Sequence, residues 1–171
     1  QIYFFNDPAS YAVIKIAAVF DLFTLSSYSA TAIMFAMFSF AGVWLLYLTF
    51  YEQYPRNHRG LAIAVFFIPS VFFWGSGLLK DTVTLGCLGA ATFFTYRIFL
   101  KRQFRLRYFF LLLLALYGLY VIKVYILLNF LPAAILWLFL SYYDRIKSLV
   151  AKIFLFPIVI SGSLLLGYLA V

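Results

Sequence analysis

The chain has 171 residues, of which 67% are hydrophobic and 11% are charged. A soluble globular domain carries about 25% charged residues, so this composition excludes an ordinary soluble fold and indicates lipid as the main solvent. The net charge of +8 does not indicate nucleic acid, because the basic residues flank apolar stretches instead of forming a stripe with aromatic platforms. The period-2 alternation of a barrel is absent, so we predict an all-α, polytopic membrane protein.

The opening stretch, residues 1–27, is predicted to be an external loop followed by a juxtamembrane helix. Asp7 and the proline after it are typical of an N-cap with proline at the first helical position, and the helix should run to about Phe20. It carries Lys15 and Asp21 and is too short for a span, so we expect it to lie along the membrane interface. The chain opens without Met or a basic-then-apolar leader, so we expect a fragment of a longer protein.

Residues 28–171 are predicted to form a transmembrane helical bundle, since a span needs about 20 mostly apolar residues. Six segments meet this requirement: Tyr28–Tyr51, Gly60–Leu79, Thr82–Leu100, Tyr108–Ile122, Tyr125–Tyr143 and Leu149–Val171. The fourth and fifth are short, and a single long span over residues 108–143 is the alternative. We predict two short helices with a turn near Lys123 to Pro132, because one span would place the third basic break opposite the other two.

Ten of the thirteen Lys and Arg residues fall in three polar breaks, Arg56–Arg59, Arg97–Arg107 and Arg145–Lys152. Cytoplasmic loops keep an excess of Lys and Arg, so these breaks predict one shared cytoplasmic face, with anionic lipid headgroups as partners. The N-terminal residues, Lys80, Asp81 and Lys123 then lie outside. We expect a multi-pass protein of the cell's inner (cytoplasmic) membrane, with the N-terminal residues outside.

Residues 69–81 hold the densest group of polar side chains near a predicted membrane surface. They combine a proline, two glycines, hydroxyls including Ser76, an interfacial Trp74, and the adjacent Lys80 and Asp81. Lys80 could bind a phosphate or pyrophosphate, because an ammonium is a ready partner for an anionic lipid head. The alternative is structural, with Trp74 anchoring the aromatic belt and the charges marking a wet turn. The spacing does not match a nucleotide-binding phosphate loop.

Two further outer residues are candidates for the same site. Asp7 could act as a general base toward a hydroxyl acceptor, or it could serve only as the helix cap. Lys123 could join the pocket or could extend to the interface as a snorkelling residue. Cys87 and His58 are each the single residue of their type, so we expect no disulfide, metal or cofactor.

The stretch FIPSVFFWGSGLLKD at residues 67–81 resembles a motif of multispanning bacterial polysaccharide polymerases and membrane glycosyltransferases. The order of acidic loop, juxtamembrane helix and span over residues 3–100 is similar to the C-type glycosyltransferase superfamily. The resemblance implies a polyprenyl-phosphate-linked sugar donor, transfer at the outer face and a first span upstream of the chain. It also implies Asp7 as base, Lys80 near the donor phosphate, and Asp81 orienting Lys80 or the acceptor. Many relatives carry paired acids where this chain has Asn6 and Asp7, so metal use is not implied.

Two functions from different classes follow. The first is an inverting sugar transferase or polymerase of polysaccharide biosynthesis. The second is a non-catalytic membrane subunit or scaffold that binds partner membrane subunits, consistent with the few polar groups inside the spans. A transporter ranks third, because neither an intramembrane charge pair nor matching half-helices are evident in the sequence.

Overall fold

A computed structural model describes residues 7–143, and every regular element within that range is a helix. The predicted sixth span and the third basic break lie outside the described residues. The helices are α1 (Pro8–Thr24), α2 (Tyr28–Gln53), α3 (His58–Phe66), α4 (Pro69–Trp74), α5 (Lys80–Thr95), α6 (Leu106–Ile122) and α7 (Val124–Tyr143). A 3₁₀ turn, Pro55–Asn57, precedes α3, and a π-helical segment, Tyr96–Leu100, extends α5.

Within residues 7–143, three helices are long and apolar enough to cross a membrane: Tyr28–Gln53, Lys80–Leu100 and Val124–Tyr142. The apolar helix α6 has 17 residues and is slightly shorter than a full span. The all-helical fold is therefore confirmed, and the apolar helices are compatible with a membrane protein.

The predicted span Gly60–Leu79 is not confirmed as a single helix, because this segment contains most of α3, all of α4 and a non-helical stretch. Pro69 explains the first break, since a proline disfavours helical geometry in the residue before it. Ile68 accordingly has an extended backbone with φ −72° and ψ 120°. Helical structure stops again at Trp74 and resumes at Lys80.

The predicted division of residues 108–143 into two helices is confirmed. Lys123 alone separates α6 from α7, with φ −145° and ψ 82°. The expected turn region reached to Pro132, but this proline lies inside α7. The turn is therefore shorter than predicted and occurs at the charged residue.

Helices α2 and α5 run in the same direction and cross with their backbones in contact at glycines. A Cβ added to Gly42 would lie 2.4 Å from the Gly86 Cα, and one added to Gly89 would lie 2.0 Å from the Gly42 carbonyl oxygen. No side chain fits between the helices there. Small residues allow this close approach, which gives membrane helices their packing contacts where the hydrophobic effect is weak.

The two ends of this helix pair carry different charged groups. At one end, Glu52 in the last turn of α2 accepts from Arg97 at 2.6 Å and lies 3.5 Å from Lys101. The turn containing Arg56 follows directly after α2. Two of the predicted basic breaks therefore lie at the same end of the bundle, which we call the Arg97 end; the opposite end is called the Lys80 end.

Helix α1 is bonded at both of its termini to the Lys80 end. Asp7 at its start contacts Lys80, the first residue of α5. Asp21 near its finish accepts a hydrogen bond of 2.5 Å from the hydroxyl of Thr31, in the first turn of α2. Helix α1 therefore crosses the bundle from α5 to α2, and it extends to Thr24, four residues beyond the predicted Phe20.

Candidate functional site

Asp7 caps α1, as the sequence predicts. Its Oδ1 accepts hydrogen bonds from the backbone N–H groups of Ala9 at 3.1 Å and Ser10 at 3.3 Å, and Pro8 occupies the first helical position. The Ser10 hydroxyl donates to Oδ2 at 2.6 Å. The carboxylate thus satisfies backbone donors that the first turn of a helix leaves without intrahelical partners.

The same carboxylate forms an ion pair with Lys80, whose Nζ lies 2.6 Å from Asp7 Oδ2. The Lys80 ammonium, followed by the Ser10 hydrogen bonds, holds the pKa of Asp7 well below its ordinary value. A carboxylate with a lowered pKa is a weaker proton acceptor. Asp7 can therefore act as a strong base only when Lys80 moves to another anion.

Asp81 forms its own ion pair with the Nζ of Lys123. Asp81 therefore pairs with Lys123 and not with Lys80, and its role in orienting Lys80 or the acceptor stays a prediction. Consecutive helical residues point about 100° apart, so these two side chains diverge to different partners. Hydrogen bonding to Asp81 raises the pKa of Lys123, and Lys123 also lies 5.9 Å from the centre of the Tyr125 ring. Lys123 therefore belongs to the charged group and is not simply an extended interfacial lysine.

The non-helical stretch before α5 is held by one buried hydroxyl. Thr82 is fully buried, and its hydroxyl hydrogen is shared between the carbonyl oxygens of Trp74, at 2.9 Å from Oγ1, and Gly77, at 2.7 Å. These bonds fix the path of the chain that leads into Lys80. The non-helical stretch is consequently hydrogen-bonded to the first turn of α5.

The remaining two predicted site residues lie beside the charged group, not within it. Trp74 is half-exposed and lines a small surface depression of about 260 Å³ together with Asp81. Ser76 donates to the carbonyl of Phe73 at 3.0 Å and faces a separate cavity of about 200 Å³ against α2. The structure therefore brings together Asp7, Lys80, Asp81 and Lys123, with Trp74 at the edge and Ser76 elsewhere.

An apolar groove of about 600 Å³ lies next to these charges, between α1 and helices α2, α5 and α6. It is lined by Pro8, Tyr11, Ala12, Lys15, Ile16, Phe20, Phe35, Phe38, Val83, Cys87, Leu114, Tyr117, Gly118, Val121 and Ile122. Pro8 adjoins Asp7, and Ile122 adjoins Lys123, so the groove begins at the charged group. From Ile122 to Leu114 it follows α6 for about 12 Å at 1.5 Å per residue.

Between residues 7 and 143, no three His, Cys, Asp or Glu side chains lie close enough together to bind a metal ion. The arrangement instead offers two paired ammonium groups, two carboxylates and an adjacent apolar groove. Such a combination can bind an amphiphile with an anionic head.

Sequence reasoning did not identify four residues that shape this site. Ser10 could have been found, because a hydroxyl three residues after an N-cap lies in the same turn. A lysine at position 15 interrupting an apolar stripe was a second available signal. The roles of Thr82 and of Thr31 depend on the tertiary contacts described above and have no local sequence signature.

Comparison of the chain with protein-family models, curated proteins and solved structures found no match. In the part of the chain that the structure describes, the fold is all-helical, with three candidate membrane-spanning helices and a charged group at one end of the bundle. The function must accordingly be argued from that site alone.

Proposed function

We propose that the chain is part of a membrane glycosyltransferase or polysaccharide polymerase that uses a polyprenyl-phosphate-linked sugar at the outer membrane face. The observation that carries the proposal is the apolar groove that begins at the group of charged residues. The groove suits a long hydrocarbon chain, and the charges suit a phosphate and a sugar. In this arrangement the Lys80 end faces outward and α1 is the juxtamembrane helix.

The proposed reaction is an inverting displacement at the anomeric carbon of the sugar. An acceptor hydroxyl forms the new glycosidic bond, the bond from the anomeric carbon to the phosphate oxygen breaks, and the phosphate leaves with the electron pair. Lys80 moves from Asp7 to the departing phosphate. The freed Asp7 carboxylate regains base strength and accepts the hydroxyl proton.

Surface-glycan assembly by the full-length protein in its own cells tests this proposal. Asp7→Asn keeps a good N-cap residue but removes the charge, and Lys80→Gln removes the ammonium. We expect both variants to lose glycan assembly at unchanged protein level. Lys101→Gln, which removes a cation at the Arg97 end, is the matched control. Normal glycan in both site variants would refute the proposal.

A second candidate is a non-catalytic subunit or scaffold of a larger membrane complex. The favouring observation is that Lys80 and Lys123 are each neutralised by a carboxylate, as in a structural ion-pair arrangement. Stoichiometric copurification with a membrane partner that survives Asp81→Asn, together with normal glycan in the variants above, would select this candidate.

A further inference from the structure

We propose that the groove beneath α1 holds the hydrocarbon chain of a phosphate-headed lipid and that Lys15 is the cation that pairs with its phosphate. The identity of that lipid, a polyprenyl phosphate, rests on the proposed function. The site itself is inferred from the groove and from the charges around it.

Two of the three lysines at the Lys80 end have carboxylate partners. Among residues 7–143, Lys80 is paired with Asp7 and Lys123 with Asp81, so each of these cations is already neutralised. Lys15 forms no ion pair with any described residue and packs its Nζ 4.6 Å from the centre of the Tyr11 ring. Asp21, the remaining charged residue at this end, lies near the other terminus of α1 and accepts a hydrogen bond from Thr31, so the described charges there sum to zero. Lys15 is nevertheless the cation at this end that no described carboxylate contacts, and we expect it to be the one available to a phosphate.

Lys15 lies at the groove. It is the one charged side chain among the described residues that line the groove, and its neighbours there are Tyr11, Ala12 and Ile16. These residues share one face of α1, which is the face turned toward α5 and α6. A head bound at Lys15 would thus leave its chain directly over the apolar floor.

The position and volume of the groove suit one hydrocarbon chain. The α5 and α6 linings, Val83 to Cys87 and Leu114 to Ile122, all belong to the half of each helix nearest the Lys80 end. A lipid entering from that surface would therefore extend toward the middle of the bundle. The volume of about 600 Å³ falls in the range of about 300–1,000 Å³ that holds small ligands, which favours one chain over the two of a phospholipid.

The test uses the full-length protein in zwitterionic phosphatidylcholine nanodiscs with a photoreactive polyprenyl phosphate. We expect cross-links to map to α1 and α6. Lys15→Gln should lower labelling about tenfold, as expected for loss of a charge-assisted hydrogen bond, and Lys15→Arg should restore it. Labelling that is indifferent to Lys15→Gln would overturn the proposal.

Two further arms identify the lipid. A photoreactive polyprenol without phosphate should label the groove equally in wild type and Lys15→Gln. Phosphatidylglycerol at the same mole fraction as the probe should not displace it; displacement would mean that a bilayer phospholipid is the occupant and would overturn our choice.

The outcomes separate this inference from the proposed function. Lys15-dependent labelling with normal glycan in Asp7→Asn and Lys80→Gln would leave the lipid site standing and remove the transferase. Loss of glycan in those variants, together with labelling that does not depend on Lys15, would support the transferase proposal and refute the Lys15 site.

Discussion

At the scale of single residues, Asp7 has two roles that can be separated experimentally. It caps α1 and it pairs with Lys80. Asparagine retains the cap without the charge, whereas alanine loses both. We expect amide hydrogen exchange at Ala9 and Ser10 to rise several-fold in Asp7→Ala and clearly less in Asp7→Asn. Equal exchange in both variants would mean that the ion pair, and not the cap, holds this end of α1.

The pH dependence of the Asp7–Lys80 ion pair follows from the direction in which the pKa of Asp7 is shifted. The pKa of Asp7 is lowered in the folded state, so the pairing is complete above the ordinary aspartate pKa and is lost as the pH falls toward the lowered value. We expect exchange at the start of α1, corrected for its intrinsic pH dependence, to be constant from pH 7 to about pH 5 and to increase only in stronger acid. The Asp7→Asn variant should not show this acid-dependent increase.

Thr82 offers a residue-scale test of the turn before Lys80. Thr82→Val keeps the shape but leaves the Trp74 and Gly77 carbonyls without their hydroxyl donor. We expect a loss of about 1–3 kcal/mol in the free energy of unfolding. Thr84→Val is the matched control, because the buried Thr84 hydroxyl bonds only the Lys80 carbonyl of its own helix. Denaturant unfolding in detergent should separate the two variants, and equal losses would contradict the assignment.

At the scale of helices, the crossing of α2 and α5 depends on the absence of side chains at three glycines. Gly86→Ala places a Cβ 2.4 Å from the Phe38 ring, and Gly42→Ala places one against the α5 backbone. We expect each to cost about 1–3 kcal/mol, with the larger loss at Gly42, because a ring can move more easily than a helix backbone.

Gly77→Ala is the control for this series. An added Cβ there meets only the Leu79 side chain, at 3.5 Å, and the glycine does not have a positive φ. Its thermal stability in detergent should match that of the wild type. If Gly42→Ala is equally harmless, the helices do not cross as closely as described.

At the scale of the whole molecule, the charged residues give the helix bundle two different ends, the Arg97 end and the Lys80 end. We propose that the Arg97 end is cytoplasmic, following the excess of Lys and Arg there. In intact cells, an impermeant thiol reagent should modify Ser26→Cys and should miss Gln103→Cys. The parent chain is the control, because its Cys87 is buried. The reverse labelling pattern would invert the proposed orientation and remove the outer-face site.

The sequence by itself determined features that depend on neighbouring residues or on composition. The apolar stretches at Tyr28 and Val124 are long enough to predict helices, since a backbone in hydrocarbon must satisfy its own hydrogen bonds. Asp7 followed by Pro8 predicted the start of α1, because capping is a local interaction. The division of residues 108–143 into two helices near Lys123 was predicted from the excess of Lys and Arg that cytoplasmic loops carry. Pro69 likewise has a local effect, since it separates α3 from α4 within the predicted span Gly60–Leu79.

Only the tertiary structure decided which charges meet and where the groove lies. Lys80 and Asp7 are 73 positions apart, and Asp81 pairs across the fold with Lys123. A sequence shows that such residues are scarce in an apolar chain, but their partners depend on the direction of each side chain and on how the helices pack. The groove exists because α1 crosses from α5 to α2. No local pattern encodes that crossing, since long-range contacts at both termini of α1 hold it in place.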